Sequence, residues 1–197
     1  LMGRMTDRDA RERTVDSMAR RFHVDPAQGA RVAGTAQGLL GQLRDSWDLG
    51  GEMPARLIGW AARLHEIGMD IAHARHHCHA AYLLQNADMA GFSTGEQRLI
   101  AALVGNHRRR IRSEYLAGLP AGWASRIRRL IVILRLAVLL NRARSDEALP
   151  VIRVKPREDG LKLAFPEDWL EAHPLTRADL SQEAAYLQTL GIKLRCR

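Results

Sequence analysis

The stretch LHEIGMDIAHARHHCHAAYLL, residues 64–84, decides how the rest of the chain is interpreted. It holds five histidines, one cysteine and two carboxylates within 21 residues. The segment before it, from Pro54 to Leu64, has apolar residues at helical spacing, and Gly68 is typical of a helix end. The stretch therefore places many metal-ligand types at the end of one helix. Two hypotheses are open: a metal site, or a hydrogen-bonded histidine cluster.

The composition is that of a globular protein with a basic surface. Hydrophobic residues make up 46% of the 197 residues, charged residues make up 26%, and the formal net charge is +8. All but three of the 30 basic residues are arginines. Because a guanidinium group matches phosphate oxygens in pairs, this excess indicates either a polyanionic partner or an ordinary solvated surface. Cys78 and Cys196 form no disulfide framework, which favours the cytoplasm.

Apolar residues recur at helical spacing up to residue 148. Asp25 followed by Pro26 is typical of a helix start, and Ser93 with Glu96 predicts a capping box. A long helix over about 123–141 is apolar on nearly all sides, so we expect it to lie at the centre of a bundle.

The periodicity changes after Pro150. The alternating segments VIRVKP, LKLAFP and IKLRCR predict three short strands, at residues 151–156, 161–166 and 192–197. Glu158-Asp159-Gly160 predicts a turn, and a helix is expected from Thr176 to Leu190. We therefore predict a mostly α fold: a helical domain over residues 1–148, and a small α+β domain over residues 149–197 with three short strands and one helix.

The histidine-rich stretch does not have the spacing of a known zinc pattern. Successive residues on a helix diverge by about 100°, so His76, His77, Cys78 and His79 cannot all face one ion. No second pair of ligands lies at a suitable distance along the chain. The residues alone thus favour a solvated histidine patch with one or two buried imidazoles, and leave a metal site as the alternative.

The segment AARLHEIG, residues 61–68, resembles the core helix of HD-type phosphohydrolases, in which a His-Asp pair binds metal. The resemblance matches that pair to His65 and Glu66. It places the upstream histidine ligand near Gln28 or Gly29, and the late aspartate ligand near Val138. Since valine cannot bind a metal, the resemblance implies an HD-like fold whose metal site is lost. A metal held by His65 and Glu66 is the weaker alternative.

A longer resemblance covers nearly the whole chain. Residues 3–14, 60–110, 134–144 and 165–175 are similar to the C-terminal half of the exopolyphosphatase/guanosine pentaphosphate phosphatase family. In that family the N-terminal half carries the catalytic carboxylate and Mg²⁺, and the C-terminal half helps to hold polyphosphate and to form dimers. The chain begins Leu1-Met2-Gly3 and shows no glycine-rich phosphate loop. We therefore expect the accessory fragment of an exopolyphosphatase, inactive and without a cofactor on its own.

The resemblance and the arginine clusters together name the candidate site residues. The expected polyphosphate-binding residues are His107, Arg108, Arg109, Arg110, Arg112, Arg126 and Arg129. The expected degenerate HD pocket consists of His65, Glu66 and His79. The partners implied are inorganic polyphosphate, the N-terminal catalytic domains with their Mg²⁺, and a second copy of the chain. A cytoplasmic location is expected, with peripheral membrane association as an alternative.

Three other functions stay open. The first is an active HD-type, metal-dependent nucleotide phosphohydrolase. The second is the accessory domain of a guanosine pentaphosphate phosphatase, although Asn106 to Arg109 favours the exopolyphosphatase branch. The third is an RNA- or nucleotide-binding module that uses the same arginines. The four tryptophans occur singly and do not alternate with arginines, which argues against binding of nucleic acid.

Overall fold

The helical part of the chain follows the predicted pattern. The computed structural model describes residues 2–197, with side chains described from Ala10 onward. The helices of this part are α1 (Met2–Arg21), α2 (Pro26–Leu43), α3 (Met53–Leu64), α4 (His76–Asn86), α5 (Thr94–Gly105) and α6 (Ala124–Leu140). Short 3-10 helices lie at Ile67–Asp70 and Ser113–Leu116. The mostly α fold is therefore confirmed.

Local capping fixes two of these helix starts. The Asp25 side chain accepts a hydrogen bond from the Ala27 backbone N–H at 2.9 Å, directly before α2. At α5, Ser93 and Glu96 form both hydrogen bonds of a capping box. These side chains satisfy N–H groups that a helix start leaves without partners, which is why the sequence could predict both positions.

Helix α6 is the central element of the bundle. Its residues from Leu130 to Ala137 are all buried, and it packs against α2, α3, α5 and α8. The single charged residue in this buried run is Arg135, which is 1% exposed. A helix that is apolar on nearly all sides is stable only when other helices cover it, as they do here.

The small C-terminal part is an α+β unit. It contains β1 (Arg153–Arg157), β2 (Gly160–Ala164), α7 (Trp169–Ala172), α8 (Pro174–Gln188) and β3 (Lys193–Cys196). β1 pairs antiparallel with β2, and β2 pairs parallel with β3. The parallel pairing requires a crossover, which α7 and α8 provide.

The three strands lie within one or two residues of the predicted ranges, and the helices of this unit differ from the prediction in two details. A one-turn helix, α7, precedes the expected helix, and its Trp169 ring stacks between Phe165 and His173. In addition, α8 begins at Pro174 and not at Thr176. Proline presets the backbone dihedral of a first helical turn, so Pro174 moves the start of the helix forward.

The C-terminal unit packs against the helical bundle through polar contacts. The Gln42 side chain on α2 accepts a hydrogen bond from the Val154 N–H at 2.8 Å and donates one to the Ile152 carbonyl at 3.0 Å. Arg135 on α6 forms an ion pair with Glu183 on α8. The division into domains at residue 148 stays a prediction, since these contacts join the two parts.

Candidate functional site

A pocket of about 400 Å³ opens where the ends of α3 and α5 meet α6 and α8. His65, Glu66 and His107 line it together with His76, the first residue of α4. Arg108, Arg109, Arg142 and Arg144 also line it. The pocket therefore combines buried imidazoles with several guanidinium groups.

His65 and His107 occupy equivalent positions at two helix ends. His65 follows the last residue of α3, and its Nδ1 donates to the Ala62 carbonyl at 2.6 Å. His107 follows α5, and its Nδ1 donates to the Val104 carbonyl at 2.6 Å. The two ring centroids are 5.1 Å apart, edge to face. Burial lowers the pKa of both histidines, so both are neutral and keep Nε2 as an acceptor.

His76 and His77 complete the cluster of buried imidazoles. The Arg108 guanidinium donates to His76 Nε2 at 2.6 Å. Burial, together with the nearby charge of Arg108, lowers the pKa of His76 to about 3 and that of His77 to about 4. Within the described side chains, Nδ1 of His76 and Nδ1 of His77 have no hydrogen-bond partner. Four histidines are therefore buried and neutral, where the sequence predicted one or two.

A close approach of two backbone segments buries His76 and His77. The Gly68 backbone lies directly against the first turn of α4, and a Cβ at this position would collide with the His76 carbonyl and lie 2.7 Å from the Ala80 nitrogen. A glycine at the end of an apolar helix is the sequence signal for this contact, but the sequence did not identify its partner.

His79 is not part of the pocket. It lies one turn further along α4, half-buried, and it does not contribute to the lining. Of the predicted set of His65, Glu66 and His79, only His65 and Glu66 therefore line the pocket, and His76 lies there in place of His79. A helix rises about 1.5 Å per residue, so three residues displace His79 by about 4.5 Å along the axis.

Glu66 binds a guanidinium group. Arg144 donates to Glu66 Oε1 and, at 3.2 Å, to Asp25 Oδ2. Gln28 and Val138, the positions matched to the other HD ligands, line the same pocket. The Gln28 amide donates to the Asn141 carbonyl at 2.9 Å and accepts from Arg31 at 3.1 Å.

These side chains do not fit a metal ion. Valine has no donor atom, and Gln28 is committed to two hydrogen bonds. Within the described residues, no group of three or more histidine, cysteine, aspartate or glutamate side chains is arranged to hold a metal. The Arg144 guanidinium provides the positive charge beside Glu66.

The seven predicted polyphosphate-binding residues fall into two groups. His107, Arg108 and Arg109 line the pocket, and Arg110 is exposed on the same loop. The side chains of Arg108, Arg109 and Arg110 have no carboxylate within 4.0 Å among the described residues.

The remaining three arginines are held by their own structural contacts. Arg112 pairs with Glu114 at 3.0 Å, Arg126 pairs with Asp48 at 3.2 Å, and Arg129 donates to the Trp47 carbonyl at 2.6 Å. None of the three lines the histidine pocket. The structure thus does not bring them into the pocket that Arg108 and Arg109 line.

A family model described as Ppx/GppA phosphatase, domain III, matches residues 10–184. The chain belongs to the Ppx/GppA phosphatase family. The match includes α2 to α6 and most of α8, so it runs across the predicted domain boundary at residue 148. The family resemblance expected from residues 60–110 and the other segments is confirmed.

Curated relatives in this family carry the name guanosine-5'-triphosphate,3'-diphosphate pyrophosphatase. The protein from Pseudoalteromonas translucida is 35% identical over 194 residues, which is 98% of this chain and 39% of the relative. The protein from Aeromonas hydrophila is 35% identical over 191 residues, 97% of this chain and 38% of the relative. The chain thus spans about two fifths of the length of the relatives it matches. In the described part of the chain, no helix combines the length and the apolar character needed to cross a bilayer.

Arg135 joins the loop after α5 to the rest of the fold. Arg135 donates to both carboxylate oxygens of Glu183, to the Asn106 carbonyl at 2.6 Å and to the Arg109 carbonyl at 2.8 Å. Its guanidinium carbon also lies 5.3 Å from the centroid of the Tyr186 ring. Arg135 therefore ties the Asn106–Arg109 segment to α8. Sequence reasoning missed this role, although an arginine within an apolar run was its signal.

Proposed function

We propose that this chain is the accessory, anion-binding part of a Ppx/GppA-type phosphatase, and that its Arg108–Arg110 loop holds a linear phosphate chain. The supporting observation is that these three neighbouring arginines have no carboxylate within 4.0 Å among the described residues, while Arg112 and Arg126 do. A guanidinium without a carboxylate partner keeps donors available for phosphate oxygens.

The surroundings of the loop favour an anion over a cation. The histidines beneath it are neutral, so they add no charge of their own, and the positive charge of the loop comes from its arginines. Arg108 uses one donor on His76, which orients the guanidinium and leaves its other donors available. The Arg109 backbone has a left-handed conformation, with φ 57°, and Arg135 holds its carbonyl. The loop is therefore ordered before any phosphate binds, which lowers the entropic cost of binding.

Inorganic polyphosphate is the proposed occupant, because repeated cationic contacts without base recognition are sufficient to hold it. The names of the relatives favour a second candidate, the phosphate groups of a guanosine 5'-triphosphate 3'-diphosphate. Both ligands present the same phosphoanhydride oxygens to the loop. Only the second also presents a guanine base and a ribose.

Isothermal titration calorimetry with long-chain polyphosphate tests this proposal. The variant Arg108→Gln/Arg109→Gln should bind at least about tenfold more weakly at 0.1 M salt, because electrostatic binding weakens with each lost phosphate contact. The control Arg112→Gln/Arg126→Gln removes the same charge from paired arginines and should bind like the wild type. Equal losses in the two variants would refute the assignment to this loop.

A competition experiment separates the two occupants. Guanosine 5'-triphosphate 3'-diphosphate should displace polyphosphate only at concentrations at which an inorganic phosphate chain of equal charge also does. If the nucleotide is much more effective than the matched chain, the guanosine nucleotide is the occupant and the polyphosphate assignment is wrong.

Catalysis, Mg²⁺ binding and dimer formation belong to the same proposal. We infer that the catalytic carboxylate and Mg²⁺ lie in the part of the parent enzyme that corresponds to the remaining length of the relatives. The 197-residue chain alone should then release no phosphate from polyphosphate. Analytical ultracentrifugation tests dimer formation, and a monomer at all concentrations would contradict that part of the proposal.

A further inference from the structure

The outer face of the three-stranded sheet carries a dense set of cations far along the chain from the Arg108–Arg110 loop. Strand register places Lys155 opposite Lys162, and Lys162 opposite Arg195. The alternate residues Val154, Leu161, Leu163 and Leu194 are buried on the inner face. The cations on or beside the outer face are Arg153, Lys155, Arg157, Lys162, Lys193, Arg195 and Arg197, and they include all three lysines of the chain.

This charge arrangement does not favour folding. Like charges directly opposite on neighbouring strands destabilise a sheet. Asp159 compensates part of the charge: its carboxylate pairs with Lys193 at 3.0 Å and Arg195 at 3.1 Å, and the Arg195 hydrogen bond lowers its pKa to about 2. The other five cations have no carboxylate within 4.0 Å among the described residues. A row of unpaired like charges that costs stability indicates an external anion.

A pocket of about 710 Å³ adjoins this face, between the sheet and the start of α7 and α8. Lys155, Arg157, Lys162 and Arg197 line its sheet side, and Phe165 and Leu170 provide an apolar surface. Three carboxylates, those of Glu167, Asp168 and Glu171, also line it and have no cation within 4.0 Å among the described residues. The pocket thus offers unpaired groups of both signs and an aromatic ring.

These groups favour a nucleic acid over an inorganic phosphate chain. A bare phosphate chain would be repelled by the three carboxylates, whereas a base has N–H groups that carboxylates accept. The Phe165 ring is fixed by stacking on Trp169, with centroids 5.1 Å apart and planes within 6°. A fixed ring beside a cationic groove is the arrangement that binds single strands by stacking. The cation rows also continue beyond the pocket, which suits a polymer better than a mononucleotide.

We propose that the outer sheet face binds single-stranded nucleic acid, with phosphates on the cations around the Lys155 and Lys162 pair and a base in the pocket lined by Phe165. The sequence pattern predicted no binding of nucleic acid, because its tryptophans do not alternate with arginines. Tertiary structure changes that argument, because it brings Phe165 next to cations that lie up to 32 residues away along the chain, at Arg197. This surface is distinct from the Arg108–Arg110 loop, and the proposal does not depend on the proposed function.

Fluorescence anisotropy with a labelled 12-nucleotide RNA of mixed sequence tests the proposal on the 197-residue chain. For single strands the logarithm of affinity falls by about 0.7 per phosphate contact for each tenfold rise in salt, so five unpaired cations predict a slope of about −3.5. The variant Lys155→Gln/Lys162→Gln should reduce the slope to about −2 and weaken binding about 25-fold at 0.1 M salt. Phe165→Leu should weaken binding about tenfold and leave the slope unchanged, because it removes stacking and no charge.

A matched control removes two exposed arginines elsewhere. Arg20→Gln/Arg128→Gln changes the net charge equally and should alter RNA affinity less than about twofold. Urea unfolding provides an independent reading: Lys155→Gln/Lys162→Gln should be at least as stable as the wild type, because it relieves repulsion between opposite strands. Lower stability would mean that the lysines serve the fold, and the proposal would be wrong.

Two other results would overturn the proposal. If polyphosphate of equal charge displaces the RNA as well as unlabelled RNA does, and Phe165→Leu has no effect, the face binds phosphate chains and not nucleic acid. If Arg108→Gln/Arg109→Gln abolishes RNA binding while Lys155→Gln/Lys162→Gln does not, the RNA binds at the other site.

Discussion

Replacing Arg135 by leucine should destabilise the protein more than any surface change. Arg135 is 1% exposed, and its partner Glu183 is 6% exposed. The substitution leaves the Glu183 carboxylate buried without its cation and removes the donors to the Asn106 and Arg109 carbonyls. Removing one partner of a buried ion pair typically costs about 3–5 kcal/mol. That is a large share of the roughly 5–15 kcal/mol by which native proteins are stable.

Urea unfolding followed by far-UV circular dichroism measures this loss. With a denaturant slope of about 2 kcal/mol per molar, a loss of about 4 kcal/mol lowers the unfolding midpoint by about 2 M. Arg128→Leu, on the exposed side of the same helix, provides the control and should change stability by less than about 0.5 kcal/mol.

A double-mutant cycle separates the ion pair from the loss of packing. Glu183→Leu alone should also cost about 3–5 kcal/mol, because it leaves a buried guanidinium unpaired. The double variant Arg135→Leu/Glu183→Leu buries no unpaired charge, so it should lose no more than either single variant. If the stability losses of the two single variants add up in the double variant, or if Arg135→Leu loses less than about 1 kcal/mol, Arg135 does not hold the Asn106–Arg109 segment to α8 through a buried ion pair. If Arg135→Leu does not fold, Glu183→Gln, which keeps a neutral acceptor, gives a milder test of the same contact.

Three further predictions follow from the histidine cluster. The pKa values of His76 and His77 are about 3 and about 4 in the folded protein and about 6.5 when unfolded, so the unfolded state binds more protons between these values. Stability should therefore fall as the pH decreases from about 6.5 to about 4, by up to about 1.4 kcal/mol per pH unit for each histidine. The variant His77→Phe should reduce the slope of the urea unfolding midpoint plotted against pH. An unchanged slope would contradict the burial of a neutral His77. Gly68→Ala should cost more than about 2 kcal/mol in thermal unfolding, because its Cβ meets the first turn of α4, whereas Gly34→Ala, whose Cβ meets nothing within 4 Å, should be neutral or stabilising. After dialysis against a chelator, the chain should take up less than one equivalent of Mn²⁺ or Zn²⁺ at the pocket of His65 and Glu66, as judged by comparison with His65→Ala. Stoichiometric metal binding that is lost in His65→Ala would instead support the alternative of an active HD-type hydrolase.

Most of the fold could be predicted from the sequence because its signals are local. The cap at Asp25, the capping box at Ser93 and Glu96, and the alternation in residues 151–166 each depend on neighbours within a few residues. The start of α8 at Pro174 and the extra turn α7 were missed. The second of these depends on stacking of Trp169 with rings on either side, which periodicity does not encode.

The candidate site was predictable only in part. The sequence pointed to His65 and Glu66 through the HD-type resemblance, and to His107 and the arginines after it because these residues cluster along the chain. It could not tell Arg108, which is free of carboxylates, from Arg126, which is paired with Asp48 across 78 residues. It also could not show that His76, and not His79, lines the pocket, because that depends on how the turn at Gly68 packs on α4.

The sequence by itself determined the helices, the strands and the basic, arginine-rich composition of this protein, because helix caps, hydrophobic period and net charge are properties of short segments and of composition. Only the tertiary structure decided which arginines remain available for an anion, that Arg135 joins the Asn106–Arg109 segment to α8, and that the lysines of three strands share one face. Ion pairing and burial depend on distances of a few ångströms between residues far apart in the chain, and those distances exist only once the chain has folded.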